Sequence, residues 1–216
     1  MKNIIRKLLR ESLLDEAMMN STHLPKETAL FSQNDGIYMS LYDPKAKNTY
    51  GMISASLRGQ NYDVNSVAAE KGFGPYMYEF AMMNAYSKGK GLMPSRDGDV
   101  REGALSVWLK FFDRPDVKKQ QIAPFDSNGN WNDEYSVAIY TGDEDGFEDQ
   151  EEFNEFWEEL DPETQNILKV FNTSYSMAPS EDYHNMLARG QEYIKKGMNP
   201  SRAFAGAQKL FTSMYD

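Results

Sequence analysis

Cysteine is absent from the 216 residues, so disulfide staples, thiolate metal sites and a cysteine nucleophile are excluded together. Histidine is scarce: His23 and His184 are the only two, which leaves little material for a histidine-rich metal site or a Ser-His-Asp triad. No run of roughly 18 apolar residues occurs, so no membrane-spanning helix is expected. Positive charge is the minority sign, with 23 Lys and Arg against 33 Asp and Glu and a formal net charge of −10. An acidic surface repels polyanions, which argues against nonspecific binding to DNA or RNA. The opening stretch lacks the small-residue cleavage pattern of a secretory signal, so a cytoplasmic location is the expectation. What is present suits an ordinary folded chain, long enough for one buried core with or without a smaller appendage.

Residues Met1 to Met19 read as an amphipathic helix. Ile4, Ile5, Leu8, Leu9, Leu13 and Leu14 fall near one face, and Lys2, Arg6, Lys7 and Arg10 supply the polar one. A basic helix of this kind can lie on a membrane surface. Here Glu11, Asp15 and Glu16 follow directly and would repel anionic lipid. The expectation is therefore docking of Met1–Leu14 on protein, either the chain's own domain or a partner, with no membrane contact.

From Ala29 the texture changes to strands. Asn34-Asp35-Gly36 is a hairpin signal between Ala29–Gln33 and Ile37–Tyr42. A third strand is expected from Asn48 to Leu57 and a fourth from Tyr62 to Ala69. Gly72-Phe73-Gly74-Pro75 ends the fourth and opens a helix to about Ser87, Pro75 suiting a first helical position. A short strand at Gly91–Ser95 follows, then a helix to Phe112 capped by Asp97 or Asp99, with Ala104, Val107, Trp108 and Phe111 as its buried stripe. A last strand is expected over Tyr135–Tyr140. Beyond Gly142 the pattern is helical throughout: the acidic stretch, Gln165–Tyr175, Asp182–Lys196 and Arg202–Tyr215, with Ser180 and Asn199-Pro200 as starts and Gly197 as a stop. The fold class this predicts is α/β (α+β): a mixed, mainly antiparallel sheet flanked by helices, with a helical C-terminal extension. The corresponding regions are 1–20, 21–142 and 143–216.

Between Asp143 and Glu163 there are twelve acidic residues and no basic one. Phe147, Phe153, Phe156, Trp157 and Leu160 recur there at helical spacing, so a folded acidic helix with a solvated face is expected. A face for a basic partner is the alternative. Asp126-Ser-Asn128-Gly-Asn130 resembles the start of a calcium loop. Trp131 stands where that loop needs Gly and Val137 where it needs Glu, so a polar turn and no metal site are expected. Arg96, just after the fifth strand, has two readings: a contact to a substrate carboxylate or phosphate, or a salt bridge with Asp97 or Asp99.

The segment richest in chemistry runs from Tyr62 to Met82: a strand, a glycine turn and a helix with nothing between them. Such a turn exposes backbone N–H groups, and the helix N-terminus adds partial positive charge, so a diphosphate is a natural guest. Without a Lys-Ser/Thr ending, this is not a Walker loop.

The segment resembles the acyl-CoA-binding motif of the GNAT N-acetyltransferase superfamily, Arg/Gln-x-x-Gly-x-Gly/Ala between the fourth strand and the following helix. Gly72 and Gly74 match its glycines, and the order helix, short strand, helix downstream also matches. The resemblance covers about Ala29 to Gly142 and implies a GNAT-like sheet. It also implies acetyl-CoA as cofactor, held at Val67, Lys71, Gly72, Phe73 and Gly74, and transfer of its acetyl group to a small-molecule or protein amine. Glu70 and Asp97 are the carboxylates placed to take the amine proton. Two positions depart from the family. Ala69 stands in place of Arg/Gln, and Trp108 occupies roughly the place of the tyrosine acid.

The opening Met1–Leu13 and the run Gly91–Trp108 resemble proteins of tailed bacteriophages. That likeness implies an alternative, a non-enzymatic virion or assembly component on a transferase-like scaffold. Such a component would dock through Met1–Leu14 and the acidic C-terminal third.

Overall fold

A computed structural model describes residues 24–33, 36–96, 102–138, 146–206 and 210. The expected N-terminal helix, the Asn34-Asp35 pair, Asp97, Asp99 and the stretches 139–145 and 211–216 lie outside the described residues.

Seven strands form one mixed, mainly antiparallel sheet in the order β1-β2-β3-β4-β5-β7-β6. They are β1 (Ala29–Gln33), β2 (Ile37–Asp43), β3 (Asn48–Arg58), β4 (Asn61–Ala69), β5 (Leu92–Met93), β6 (Lys118–Gln121) and β7 (Thr173–Ser176). The helices are α1 (Gly74–Ser87), α2 (Glu102–Asp113), α3 (Gln150–Glu159), α4 (Pro162–Phe171), α5 (Glu181–Lys195) and α6 (Ser201–Ala205). No helix among the described residues is long and apolar enough to cross a membrane.

The chain divides into two compact units. Of the described residues, the first takes those in Leu57–Asp63 and Gly91–Ser176, and the second those in 24–56, Val64–Lys90 and 177–206. Strand β4 therefore contributes its first three residues to one unit and its remainder to the other.

The second unit begins with the hairpin that the sequence pattern predicts, Ala29 facing Tyr42 and Gln33 facing Tyr38. Leu30, Ile37, Met39, Leu41 and Ile53 from β1–β3 are buried with Met77 and Met82 of α1, an alternation that hides one sheet face under a helix. Helix α1 is apolar nearly all round, with nine buried residues between Tyr76 and Ala85, as a helix covered on several sides must be. Helix α5 starts where Ser180 caps it, its side chain accepting the Tyr183 N–H at 3.2 Å. It stops before Gly197, whose φ of +92° only glycine adopts readily.

In the first unit Tyr62 and Asp63 pair in parallel with Leu92 and Met93. Strand β7 lies between β5 and β6, and Lys118–Gln121 run antiparallel to Thr173–Ser176. Trp108 of α2 is buried against Tyr175, ring centroids 4.9 Å apart. An aromatic of this size contributes roughly 4 to 6 kcal/mol when its surface leaves water. The acidic stretch does fold: Asp149 caps α3, its carboxylate accepting from the N–H groups of Glu151 and Glu152. Phe153 is buried in an aromatic cluster while Glu151, Glu152, Glu155, Glu158 and Glu159 stay exposed.

Three elements differ from expectation. The helix predicted over Gln165–Tyr175 ends at Phe171, and Thr173–Ser176 turn into a sheet strand, so the C-terminal region is not purely helical. Strand β6 carries only exposed Lys and Gln and has no apolar alternation by which it could be recognised. The strand predicted over Tyr135–Tyr140 does not form at Tyr135–Val137, which pair with a side chain instead of a strand.

Candidate functional site

Strand β4 ends at Ala69, and the chain reverses over Glu70–Phe73. The Glu70 N–H donates to the Tyr50 carbonyl at 2.8 Å, and the Phe73 N–H donates back to the Glu70 carbonyl at 2.9 Å. The turn needs a residue of positive φ, and Gly72 supplies it at +89°. Helix α1 then opens at Gly74 with Pro75 in its first turn and no side-chain cap. With no cap, the amides at this end lack a side-chain acceptor. Among the described residues, none accepts from the N–H groups of Lys71, Gly72 or Gly74. Nothing lies within 4 Å of where a Cβ would stand at Gly72 or Gly74.

The two side chains best placed to obstruct this turn are held by other groups. The Phe73 ring stacks on Tyr50 with centroids 4.8 Å apart. The Glu70 carboxylate accepts from the Asn48 side-chain amide at 2.9 Å. Lys71 is exposed, and Val67 is half-buried on β4. Of the residues expected to hold a cofactor, Lys71, Gly72, Phe73 and Gly74 thus share one turn, while Val67 lies on the strand leading into it. The donor set fits an anion: unpartnered amides, a helix N-terminus and one cation.

Neither tyrosine of the first turns of α1 is a ready acid. Tyr76 and Tyr78 of α1 are buried, and desolvation raises the pKa of both phenols. Trp108, in roughly the place of the family's tyrosine acid, is a core residue. Of the two carboxylates suggested as bases, Glu70 is tied to Asn48 and Asp97 lies outside the described residues.

Arg96 is buried, and Asp97 and Asp99, the salt-bridge partners expected for it, lie outside the described residues. It is 1% exposed, its backbone N–H donates to Asp63 Oδ1 at 3.2 Å, and its Nη1 donates to the Phe171 carbonyl at 2.9 Å. Its guanidinium also lies 5.0 Å from the Phe171 ring centroid. Among the described residues Nε and Nη2 have no hydrogen-bond partner. Desolvation lowers its pKa to about 10, opposed by the nearby Asp63 charge. Burial in turn raises the Asp63 carboxyl, against the pull of Arg96 and Arg58.

The Asp126 loop is the polar turn expected. Asp126 Oδ1 accepts from the N–H groups of Asn128 and Asn130, and these bonds lower its pKa. No cluster of metal-ligating side chains occurs among the described residues.

What the sequence did not foretell is a group of cations, Lys47, Lys196 and Arg202, around one groove of the second unit. Lys47 stands about 150 residues of chain before Lys196 and Arg202, and no local motif links it to them.

No protein-family model, no curated protein and no solved structure matches this chain.

Proposed function

We propose that this chain is an acyl-CoA-dependent N-acyltransferase that moves an acetyl group to an amine, with the cofactor's diphosphate on the Lys71–Gly74 turn. The observation that carries this reading is the turn itself. Among the described residues the N–H groups of Lys71, Gly72 and Gly74 lack acceptors, and the space over both glycines is open. When bound, acetyl-CoA supplies a thioester, an acyl donor already activated toward amines.

The chain's own residues bind and orient. Gly72 holds the turn in its positive-φ form, Lys71 neutralises phosphate charge, and α1 adds its N-terminal dipole. Asn48 holds the Glu70 carboxylate, which limits its repulsion of the anion. A carboxylate or water takes the amine proton. Pro75 contributes no N–H, so binding rests on the three preceding free amides.

A second reading has its own support. Trp108 is buried where the resemblance would place a tyrosine acid, and Ala69 replaces Arg/Gln. These departures favour a non-enzymatic phage virion or assembly component. Its contact surfaces would be Met1–Leu14 and the acidic exposed face of α3.

Calorimetric titration with acetyl-CoA separates the two readings. Micromolar binding that disappears in Gly74→Trp, a position with room for the side chain, supports the transferase and justifies a screen of amine acceptors. Absence of heat at millimolar cofactor removes it.

A further inference from the structure

A groove of about 1110 Å³ opens in the second unit beside the β2–β3 turn and helices α5 and α6. That volume lies just above the range of sites holding small organic ligands, about 300–1,000 Å³. Lys47, Lys196 and Arg202 line it, and among the described residues Glu70 is the one carboxylate that does. On a chain of net charge −10, three converging cations are a local reversal of sign.

Each cation is held in place by structure beneath it. Lys47 sits at φ +55°, the one non-glycine residue of positive φ among those described. The turn that puts it there is fixed by Asp43 Oδ1, which accepts the N–H groups of Lys45 and Ala46 at 2.8 and 3.0 Å. Arg202 rides on α6, which is pinned through the Ala203 carbonyl. That carbonyl accepts from the buried Ser40 and Thr49 hydroxyls at 2.5 and 3.2 Å. Lys196 pairs with Glu192 at 2.5 Å. Among the described residues, the side chains of Lys47 and Arg202 have no partner. The single carboxylate of the lining, Glu70, is occupied by Asn48.

We infer that this groove is a binding site for an organic phosphate ester, its phosphate held between Lys47 and Arg202. Two cations with no partner among the described residues suit the double charge of a phosphate monoester better than the single charge of a carboxylate. The space beyond them exceeds what inorganic phosphate would fill. The site stands on the groove alone and does not depend on a diphosphate at the Lys71–Gly74 turn.

The test is calorimetry on the full chain with adenosine 3′,5′-bisphosphate. The comparison is the double variant Lys47→Gly/Arg202→Gln. Glycine suits the positive φ at 47, and glutamine keeps the exposed stem at 202, so the fold is retained, as circular dichroism would verify. The expected result is binding that weakens about tenfold or more in the double variant and is unchanged in Gly74→Trp. Equal affinity of wild type and double variant, or no binding at millimolar ligand, overturns the inference. Coenzyme A and its 3′-dephospho form then identify the source of the ester. A preference for the phosphorylated form that vanishes in the double variant assigns the groove to the cofactor. Equal affinities, with bisphosphate binding intact and lost in the double variant, assign it to a separate nucleotide. Failure of acetyl-CoA at the turn alongside retained bisphosphate binding removes the transferase reading and leaves the groove.

Discussion

The buried carboxamide of Asn172 bonds both backbone groups of Ser136: its Oδ1 accepts the Ser136 N–H at 2.9 Å and its Nδ2 donates to the Ser136 carbonyl at 2.8 Å. One side chain thereby stands in for the neighbouring strand that Tyr135–Val137 would otherwise need.

Replacing Asn172 by alanine leaves two buried backbone groups without partners. The expected loss is about 2–4 kcal/mol of stability, read as a lower urea midpoint at unchanged slope. Asn172→Asp should be no better, since it keeps the acceptor but loses the donor and buries a charge. A loss under about 0.5 kcal/mol in Asn172→Ala would show that water takes over both bonds.

Gly190 of α5 lies directly against the Leu30 carbonyl of β1, where an added Cβ would collide with backbone. In an ordinary helix interior Gly→Ala is stabilising by about 0.5–1 kcal/mol. Here Gly190→Ala should instead destabilise by about 1–3 kcal/mol. The sign of the shift in thermal midpoint decides the matter.

Asp63 gives a pH signature. Its carboxyl titrates higher in the fold than in the unfolded chain because burial disfavours the charge. Between those two values the folded state holds more protons, so the stability Asp63 contributes is complete at low pH and declines as pH rises. Asp63→Asn lacks this decline. The difference in unfolding free energy, variant minus wild type, should therefore increase as pH rises from below 3.8 toward neutrality. A flat or falling difference would contradict the raised value.

Within the glycine turn the two glycines should behave differently. Gly72→Ala forces a side chain into positive φ and should cost about 1 kcal/mol or more. Gly74→Ala, in the first helical turn with open space around it, should be neutral or slightly stabilising. Denaturation of the two variants in parallel checks the contrast.

Much of this architecture is legible because the residues obey local rules. The β1–β2 hairpin brackets its turn residues, β4 runs into glycines and Pro75, and Ser180 and Gly197 punctuate α5 at both ends. Where local rules conflict with tertiary context, reading fails. Ile167, Leu168 and Phe171 set a helical rhythm that the spacing of Tyr175 continues, yet Thr173–Ser176 are claimed by the gap between β5 and β6. Lys118–Gln121 carry no pattern at all. At the candidate site the turn was legible because its residues are contiguous. The Arg96–Asp63 contact joins positions 33 residues apart, and the cationic groove joins positions from 47 to 202, distances at which one sequence holds no signal.

The division of β4 between two units has a consequence for synthesis. The second unit needs β1 packed against Gly190 of α5, and Ser40 bonded to Ala203. A nascent chain leaving the ribosome therefore displays residues 24–90 long before α5 and α6 emerge. Meanwhile the whole of 91–176, the bulk of the other unit, is made in between. The hairpin that forms first must wait, one face uncovered, for the helices that cover it, and this interval is when the chain is most open to aggregation or chaperone capture.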